Sequence, residues 1–265
     1  MSQAVRNHVK EKLARDEVVA SMVVRMVATP SIATLAAGCG FDSLYVDLEH
    51  GPQSIETTSA ICVAAIAAGV TPFVRVPHIG TEYVSRVIDG GALGVIAPHV
   101  ETPEAAAAVV RMAKFPPLGQ RSDPGPMPQF RYQNPAPGET HGIMNEATSV
   151  VIMVESGATL DRLDEIAAVE GVDMLFIGSN DLCSDFGIPG AFDDPRLTDA
   201  FARTIDAARK HGKHVGVGGL GGRPDLVARM VGMGARYVSI GADLTFLASA
   251  GKAAATLVHE LATNP

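Results

Sequence analysis

Residues 149–182 read SVVIMVESGATLDRLDEIAAVEGVDMLFIGSNDL. Two apolar runs rich in β-branched residues, 149–156 and 174–180, flank a segment of helical length at 159–168. Parallel strands that are buried on both faces have continuous apolar runs of this kind, and helices join them. This stretch therefore predicts one strand-helix-strand unit of an α/β domain.

The same unit recurs along the chain, which has 265 residues. Eight such units in a chain close to the usual length of about 250 residues favour a (β/α)8 TIM barrel that forms a single domain over residues 1–265. The predicted strands are 18–25, 43–49, 71–77, 94–100, 149–156, 174–180, 214–220 and 237–243. The predicted helices are 54–68, 81–90, 103–113, 159–168, 198–211, 224–233 and 244–261.

One interval, residues 115–148, departs from this rhythm because it is rich in proline, glycine and polar residues. A loop of this length inside a compact domain is usually a lid, a binding loop or a disordered insertion. The active site of a barrel lies among the loops that follow the strands. Since the interval comes after the fourth strand, we expect it to fold over the mouth of the barrel.

Charge and composition narrow the class of partner. The formal net charge is −8 without a run of Lys or Arg, which argues against a nucleic-acid surface. Cys39, Cys62 and Cys183 lie far apart, so they predict neither disulfides nor a thiolate metal site. No stretch resembles a signal peptide or a membrane span of roughly 20 apolar residues. We expect a cytoplasmic protein that acts on a small molecule.

Polar residues occur where the predicted strands end, and in a barrel such residues converge on one site. His50 and Arg75 are 25 positions apart and Glu155 and Asp181 are 26 apart, which is about one strand-helix unit in each case. Each pair should therefore lie on adjacent strands at one height. The complete set of strand-end candidates is Asp47, Glu49, His50, Arg75, His99, Glu155 and Asp181.

Glu155 and Asp181 are the predicted metal ligands. Two carboxylates at one level repel each other unless they share a proton or a cation. Oxygen donors without a cysteine suit Mg²⁺ or a similar octahedral divalent cation, with water and a chelating α-keto acid in the remaining positions. The residues alone leave another interpretation open, in which Glu155 caps the next helix and Asp181 forms a turn.

Arg75 and His50 are the predicted substrate residues. Burying a guanidinium in the apolar run FVRVP is costly without an anionic partner, which a substrate carboxylate would supply. The carboxylate of Asp47 or Glu49 would compensate the charge of Arg75 equally well, through a salt bridge. His50 could shuttle a proton near neutral pH, or it could cap a loop.

The glycines of GVGGLG at 216–221 match the GxGxxG pattern of dinucleotide-binding proteins. The match begins at the seventh strand, and no acidic residue for a ribose follows about 20 positions later. We therefore interpret these glycines as places of close backbone approach.

Several blocks together resemble the HpcH/HpaI family of class II pyruvate aldolases. They are FDSLYVDLEHGP, TPFVRVP, GALGVIAPHVETPEAA, FPPLGQRS, VIMVESGATLDRLDEIAAVEGVDMLFIGSNDL and GARYVSIGAD. The resemblance covers about residues 9–260. Its most specific parts are the DxEH block and the ES…GVD…FIGxxDL block, in that order.

The resemblance implies a role for each matching residue. Glu155 and Asp181 would hold a divalent cation such as Mg²⁺, Mn²⁺ or Co²⁺. Arg75 would polarise the substrate, and His50 would be the base. The acidic residues associated with that histidine match Asp47 and Asp89.

The reaction that the resemblance implies is reversible aldol cleavage of a 4-hydroxy-2-oxo acid. It gives pyruvate, or an analogue such as hydroxypyruvate, and an aldehyde, through an enolate that the metal stabilises. The family also implies a homo-oligomer, a hexamer or trimer of dimers, in which residues 244–261 exchange between subunits.

The chain departs from the family pattern at two positions. Met153 replaces a glutamine two residues before Glu155, so substrate orientation would depend on Arg75 or on the backbone of Gly178 and Ser179. Ser179 itself replaces a frequent proline. The segment 120–142, with Arg121, Arg131 and Tyr132, also looks particular to this chain, and we expect it to select the acceptor aldehyde.

Two other classes of function stay open. The first is a decarboxylase or another carbon-carbon lyase that acts on a substrate such as oxaloacetate, because the same site would stabilise the enolate that forms. A decarboxylase needs no base for a C4 hydroxyl. A barrel that only binds a keto acid is the non-enzymatic alternative, and it predicts an incomplete site.

Overall fold

Eight parallel strands close into a barrel in the computed structural model, which describes residues 5–133 and 135–263. Each strand pairs with its neighbours in sequence, and β8 pairs with β1. The barrel and all eight predicted strands are thus confirmed, although each strand ends earlier than predicted. The strands are Val19–Val24 (β1), Ser43–Asp47 (β2), Thr71–Arg75 (β3), Gly94–Ala97 (β4), Ser149–Val154 (β5), Met174–Gly178 (β6), His214–Gly218 (β7) and Tyr237–Ala242 (β8).

Helices cover the outside of the barrel and form additional short elements at its ends. They are His8–Ala14 (α1), Ser31–Gly38 (α2), Ile55–Ala68 (α3), Thr81–Asp89 (α4), Pro103–Ala113 (α5), Pro137–Ala147 (α6), Gly157–Asp161 (α7), Leu163–Ala167 (α8), Ser179–Asp185 (α9), Pro195–Lys210 (α10), Pro224–Met233 (α11) and Asp243–Thr263 (α12). The sequence prediction missed α1, α2, α6 and α9. It also treated α7 and α8 as one helix, whereas the chain breaks at Arg162 between them.

The inner layers of the barrel are built by alternate residues of the strands. Tyr45, Phe73, Phe176 and Tyr237 point inward, and the rings of Phe73 and Tyr237 stack with centroids 5.4 Å apart. The side chain of Val9 from α1 joins this inner cluster, so α1 closes the end where the strands begin. These aromatic rings form a floor beneath the opposite end, where the strands finish.

The interval 115–148 does not cover the mouth, so that prediction is wrong. It connects α5 to β5, and because helices run back along the barrel it lies at the end where the strands begin. Gln129 Nε2 donates to the carbonyl oxygens of Ile88, near the end of α4, and Ala92, in the turn before β4, which fixes the interval there. The interval follows α5, and only the short connection from β4 to α5 lies at the mouth.

The interval is also not one structureless loop. A short 3₁₀ helix, Pro128–Phe130, and α6 lie within it. Residues Arg121, Arg131 and Tyr132 consequently lie away from the mouth of their own barrel, and the expectation that they select an acceptor there is wrong for a single chain. Over residues 5–133 and 135–263, no helix combines the length and apolarity needed to cross a bilayer.

Candidate active site

A layer of polar side chains lies directly above the aromatic floor. Tyr45 is the register partner of Phe73, and two residues later Asp47 is the register partner of Arg75. Since side chains two positions apart on a strand share a face, Asp47 and Arg75 point inward above these rings. Met153 and Glu155 have the same two-residue relationship on β5 and just beyond it. The parallel register thus brings residues from distant parts of the chain to one level.

Asp47 and Arg75 form a bidentate ion pair. Nε of Arg75 donates to Oδ1 of Asp47 at 2.9 Å, and Nη2 donates to Oδ2 at 2.7 Å. Burial acts to raise the pKa of Asp47, but the hydrogen bonds from Arg75 and Arg25 outweigh it and hold that pKa below its usual value. Burial likewise acts to lower the pKa of Arg75, but electrostatic interactions with the Tyr45 hydroxyl, Asp47 and Glu49, and the hydrogen bonds to Asp47, hold that pKa above its ordinary value.

Glu49 extends this cluster towards Glu155, one of the two predicted metal ligands. Its Oε2 lies 2.7 Å from Nη1 of Arg75, and its Oε1 lies 2.7 Å from Nε2 of His99. The salt bridges from Arg75 to Asp47 and Glu49, which the sequence left open, are therefore both present. They do not exclude a substrate role, because a guanidinium fixed in this way is already oriented towards the cavity.

His99 connects Glu49 to Glu155. Its backbone N–H donates to Oε1 of Glu155 at 2.6 Å, and its Nδ1 lies 3.1 Å from the same oxygen. The backbone of His99 has φ +56°, which is uncommon for a residue other than glycine and often marks a functional region. Burial raises the pKa of Glu155, the His99 backbone opposes this, and the nearby Glu49 and Asp181 add to it.

Glu155 and Asp181 border one small space beside Gly178. A Cβ atom built on Gly178 would lie 3.4 Å from Cβ of Glu155 and 3.5 Å from Oδ2 of Asp181. Glu155 does not cap the following helix, because Ser156 does so with its hydroxyl. Asp181 lies in the first turn of α9.

This space fits a divalent cation. Two acidic residues border it, neither of them bonded to a Lys or Arg side chain in the part of the chain that the structure describes, and the absence of a side chain at Gly178 keeps it open. The hydroxyl of Ser179 beside it is buried and has no hydrogen-bond partner among the residues described. Within residues 5–133 and 135–263 no three His, Cys, Asp or Glu side chains cluster as a metal site, so the remaining ligands would have to be water and substrate.

His50 lies at the rim, after β2. Its side chain is 52 % exposed, and Nε2 is 4.0 Å from Oε2 of Glu49. Its backbone N–H donates to Oδ1 of Asp47 at 3.3 Å, so the buried carboxylate holds the turn that carries the imidazole. This arrangement leaves the ring nitrogens accessible to a substrate.

A cavity of about 650 Å³ opens above this layer. Its lining includes His50, Arg75, Gly178, Ser179 and Asp181, all of them predicted from the sequence. Arg25, at the end of β1, also lines the cavity and was missed. Val23 is the register partner of Tyr45. Arg25 and Asp47 each come two residues later on these neighbouring strands, so the register places them side by side.

Asp89 is the one predicted site residue that the structure does not bring to this cluster. It ends α4, just before a turn in which Leu93 N–H donates to the carbonyl of Pro72 at the start of β3. Asp89 therefore lies at the opposite end of its own barrel. Its Oδ1 is 2.5 Å from Nη2 of the buried Arg121.

The glycines at 216–221 are required by packing, as the sequence suggested. A Cβ at Gly216 would approach Cδ2 of Phe176 to 2.6 Å, and one at Gly218 would approach Cζ to 2.8 Å. A Cβ at Gly221 would clash with the carbonyl oxygen of Ile240. The lack of a side chain at these glycines leaves room for the Phe176 ring and for the neighbouring backbone of β8.

Known proteins resemble this chain in sequence and in fold. The chain is 37 % identical over 258 residues to a 4-hydroxy-4-methyl-2-oxoglutarate aldolase of Chaetomium globosum, covering 96 % of each chain. It is 34 % identical to a hydroxypyruvate/pyruvate aldolase of Deinococcus radiodurans, covering 85 % of this chain and 80 % of that protein. The crystal structure of an HpcH/HpaI aldolase from Desulfitobacterium hafniense superposes with a TM-score of 0.87, at 27 % identity over 95 % of this chain and 96 % of that one.

Residues 21–250 match the sequence profile described as HpcH/HpaI aldolase/citrate lyase. This span includes every strand-end residue discussed above and all strands but the first two residues of β1. The chain belongs to the HpcH/HpaI aldolase/citrate lyase family.

Proposed function

We propose that this protein catalyses reversible aldol cleavage of a 4-hydroxy-2-oxo acid to pyruvate, or a close analogue such as hydroxypyruvate, and an aldehyde. The observation that carries the proposal is the convergence of Arg75, His50 and Asp181 on one cavity, with Glu155 beside Gly178 of its lining. The aldolase relatives support the same reaction.

Glu155 and Asp181 would hold a divalent cation such as Mg²⁺, Mn²⁺ or Co²⁺. When bound, it would supply Lewis-acid stabilisation of negative charge that develops on the 2-oxo oxygen. Burial, with the negative charges of Glu49 and Asp181, raises the pKa of Glu155, and a bound cation would compensate the charge of this buried carboxylate. The residues present therefore suit the cation.

The residues of the chain would divide the remaining work. His50 would accept the proton of the C4 hydroxyl, whose oxygen becomes the aldehyde carbonyl as the C3–C4 bond breaks. The electron pair of that bond passes to C3, and a proton then adds to C3 to complete pyruvate. Arg75 would orient the keto acid and stabilise its developing negative charge from a buried position, where such stabilisation is strongest. The backbone of Gly178 and Ser179 would contact the keto acid on the other side.

A pyruvate-release assay tests the proposal. We would supply 4-hydroxy-2-oxo acids with different C4 substituents to the metal-stripped protein and then restore Mg²⁺, Mn²⁺ or Co²⁺ separately. Pyruvate release should require the metal and should be lost in a Glu155→Gln, Asp181→Asn double variant. If no pyruvate were released from any of these substrates with any of these metals, the proposed function would be refuted.

We also propose that the protein is a homo-oligomer, a hexamer or trimer of dimers, in which α12 packs against another copy. Every residue from Leu244 to Leu261 is exposed in the single chain, and the side chains of Leu247, Val258 and Leu261 are more than 60 % exposed. Such a stripe of large apolar side chains on a 21-residue helix is typical of a surface that a partner covers.

An oligomer would also give Asp89 a role that its own barrel does not. Because Asp89 lies far from His50 of the same chain, we propose that it acts on the active site of a neighbouring copy. Light scattering on the purified protein would test the assembly. A monomer at micromolar concentration would refute both statements.

A further inference from the structure

Arg25 is a second guanidinium in the active-site cavity. We propose that it binds a carboxylate on the C4 side of the substrate, so that the protein prefers 4-hydroxy-2-oxo diacids, whose cleavage yields a carboxylate-bearing carbonyl product. This inference rests on the proposed aldol cleavage and adds the chemical class of its substrate.

The first argument is the difference between the two arginines. All three nitrogens of the Arg75 guanidinium are engaged, with Nε and Nη2 on Asp47 and Nη1 on Glu49. Arg25 uses only Nε, which donates to Oδ2 of Asp47 at 2.7 Å. Neither Nη atom of Arg25 has a hydrogen-bond partner among residues 5–133 and 135–263. Its side chain is 39 % exposed, against 6 % for Arg75.

The second argument is that Arg25 is held in place. Its backbone N–H donates to Oδ1 of Asp243 at 3.0 Å, and its carbonyl accepts a hydrogen bond from Nε2 of Gln53 at 2.7 Å. With Nε fixed on Asp47, the free edge of the guanidinium has a defined direction. Two parallel N–H groups of arginine match the two oxygens of a carboxylate, and a fixed fork loses little entropy on binding.

The third argument is the order of the residues around the barrel. The predicted cation ligands Glu155 and Asp181 follow β5 and β6, Arg75 is on β3, His50 follows β2, and Arg25 follows β1. In a closed barrel of eight strands β1 lies across from β5. A substrate whose C1 and C2 oxygens lie near Glu155 and whose C4 hydroxyl lies near His50 therefore extends its C4 substituent towards β1, where Arg25 is.

The charges at this end favour an anion there. Arg25, Arg75 and His50 are the Arg, Lys and His side chains in the described lining of the cavity, and the acids Asp47 and Glu49 are already paired with arginine. Asp243 is occupied by the backbone N–H groups of residues 25–27, and the lining acid Asp181 follows β6, at the predicted cation site. A carboxylate on the C4 side would thus meet donors rather than unpaired acids. A neutral alkyl group there would leave the Arg25 donors without a substrate partner.

The test compares two substrates that differ only in the C4 substituent, 4-hydroxy-2-oxoglutarate and 4-hydroxy-2-oxopentanoate. The wild-type protein should have the higher kcat/KM for the diacid. In Arg25→Met the ratio of the two kcat/KM values should fall about 10- to 100-fold, which is the size expected for losing a charge-assisted hydrogen bond. Arg25→Lys keeps a positive charge and should restore part of the ratio.

Arg162→Met is the matched control, because Arg162 is also paired with an acid, Glu165, but does not line the cavity. It should keep the wild-type ratio. An Arg25→Met protein that loses activity equally on both substrates would overturn the inference and leave Arg25 as a structural partner of Asp47.

The wild-type protein gives an independent answer if Arg25→Met does not fold. Equal or better cleavage of the neutral substrate by the wild type would overturn the inference while leaving the aldolase function intact. Cleavage of neither substrate would instead count against the proposed function itself.

Discussion

The carboxylate of Asp47 and the guanidinium of Arg75 meet through two parallel hydrogen bonds of 2.9 and 2.7 Å inside the barrel. Both residues are buried, with Asp47 at 0 % and Arg75 at 5 % exposure. Asp47 also accepts from Nε of Arg25 and from the backbone of His50. One buried carboxylate thus positions both arginines and the turn that carries the predicted base.

Replacing Asp47 with Asn should reduce the free energy of unfolding at pH 7 by about 3 to 5 kcal/mol, because Arg75 would stay buried without its anion. Denaturant titration of the variant and the wild type would measure this. An unchanged stability would show that Glu49 alone compensates Arg75.

The difference in free energy of unfolding between the wild type and Asp47→Asn should depend on pH. The pKa of Asp47 is lower in the folded protein than in the unfolded chain, so its stabilisation is fully present above the unfolded value of about 3.8. It is lost as the pH falls through the lower folded pKa. The gap between wild type and Asp47→Asn should therefore shrink below pH 3.8, and a gap that widened there would contradict the assignment.

Replacing Arg75 with Lys should lower kcat/KM for aldol cleavage by about 100-fold. Lysine keeps the charge but cannot hold Asp47 through two parallel hydrogen bonds while also reaching Glu49 and the substrate. Steady-state kinetics with a 4-hydroxy-2-oxo acid would measure the loss. Activity close to that of the wild type would mean that Arg75 contributes charge alone.

Replacing His50 with Ala should separate two reactions. Aldol cleavage needs a base for the C4 hydroxyl and should fall about 100-fold or more, whereas oxaloacetate has no such hydroxyl and its decarboxylation should be largely retained. Both rates would be measured on the same preparation. Equal loss of both activities would exclude His50 as that base.

Replacing Gly178 with Ala should weaken binding of Mn²⁺ about tenfold, as measured by titration calorimetry. The added methyl group would enter the space between Glu155 and Asp181 and approach Cε of Met153 to 3.2 Å. Gly138→Ala is the matched control, because nothing lies within 4 Å of a Cβ there. Wild-type affinity in the Gly178 variant would place the cation elsewhere.

The strand pattern was largely determined by the sequence itself. Parallel strands buried on both faces need continuous β-branched runs, so all eight were visible, and the closed barrel followed from their number. Short helices such as α9 were not visible. Its seven residues, SNDLCSD, begin directly at the end of β6, and they are too few and too polar to form an apolar repeat of helical period.

Site residues were predictable where an ionisable group interrupts an apolar run, as Arg75 does, or where a family motif marks it, as for Glu155 and Asp181. Arg25 ends an apolar run in the same way but lies outside those motifs. Its importance appears only when the register places it two residues above Val23, beside Asp47.

Tertiary structure alone decided where the interval 115–148 and Asp89 lie. The sequence gives the order of elements, but the end of the barrel that a loop occupies depends on whether it follows a strand or a helix, and α5 intervenes here. The pairing of Asp47 with both arginines was likewise undetermined, because a buried charge takes its partner from whichever strand the barrel register brings beside it.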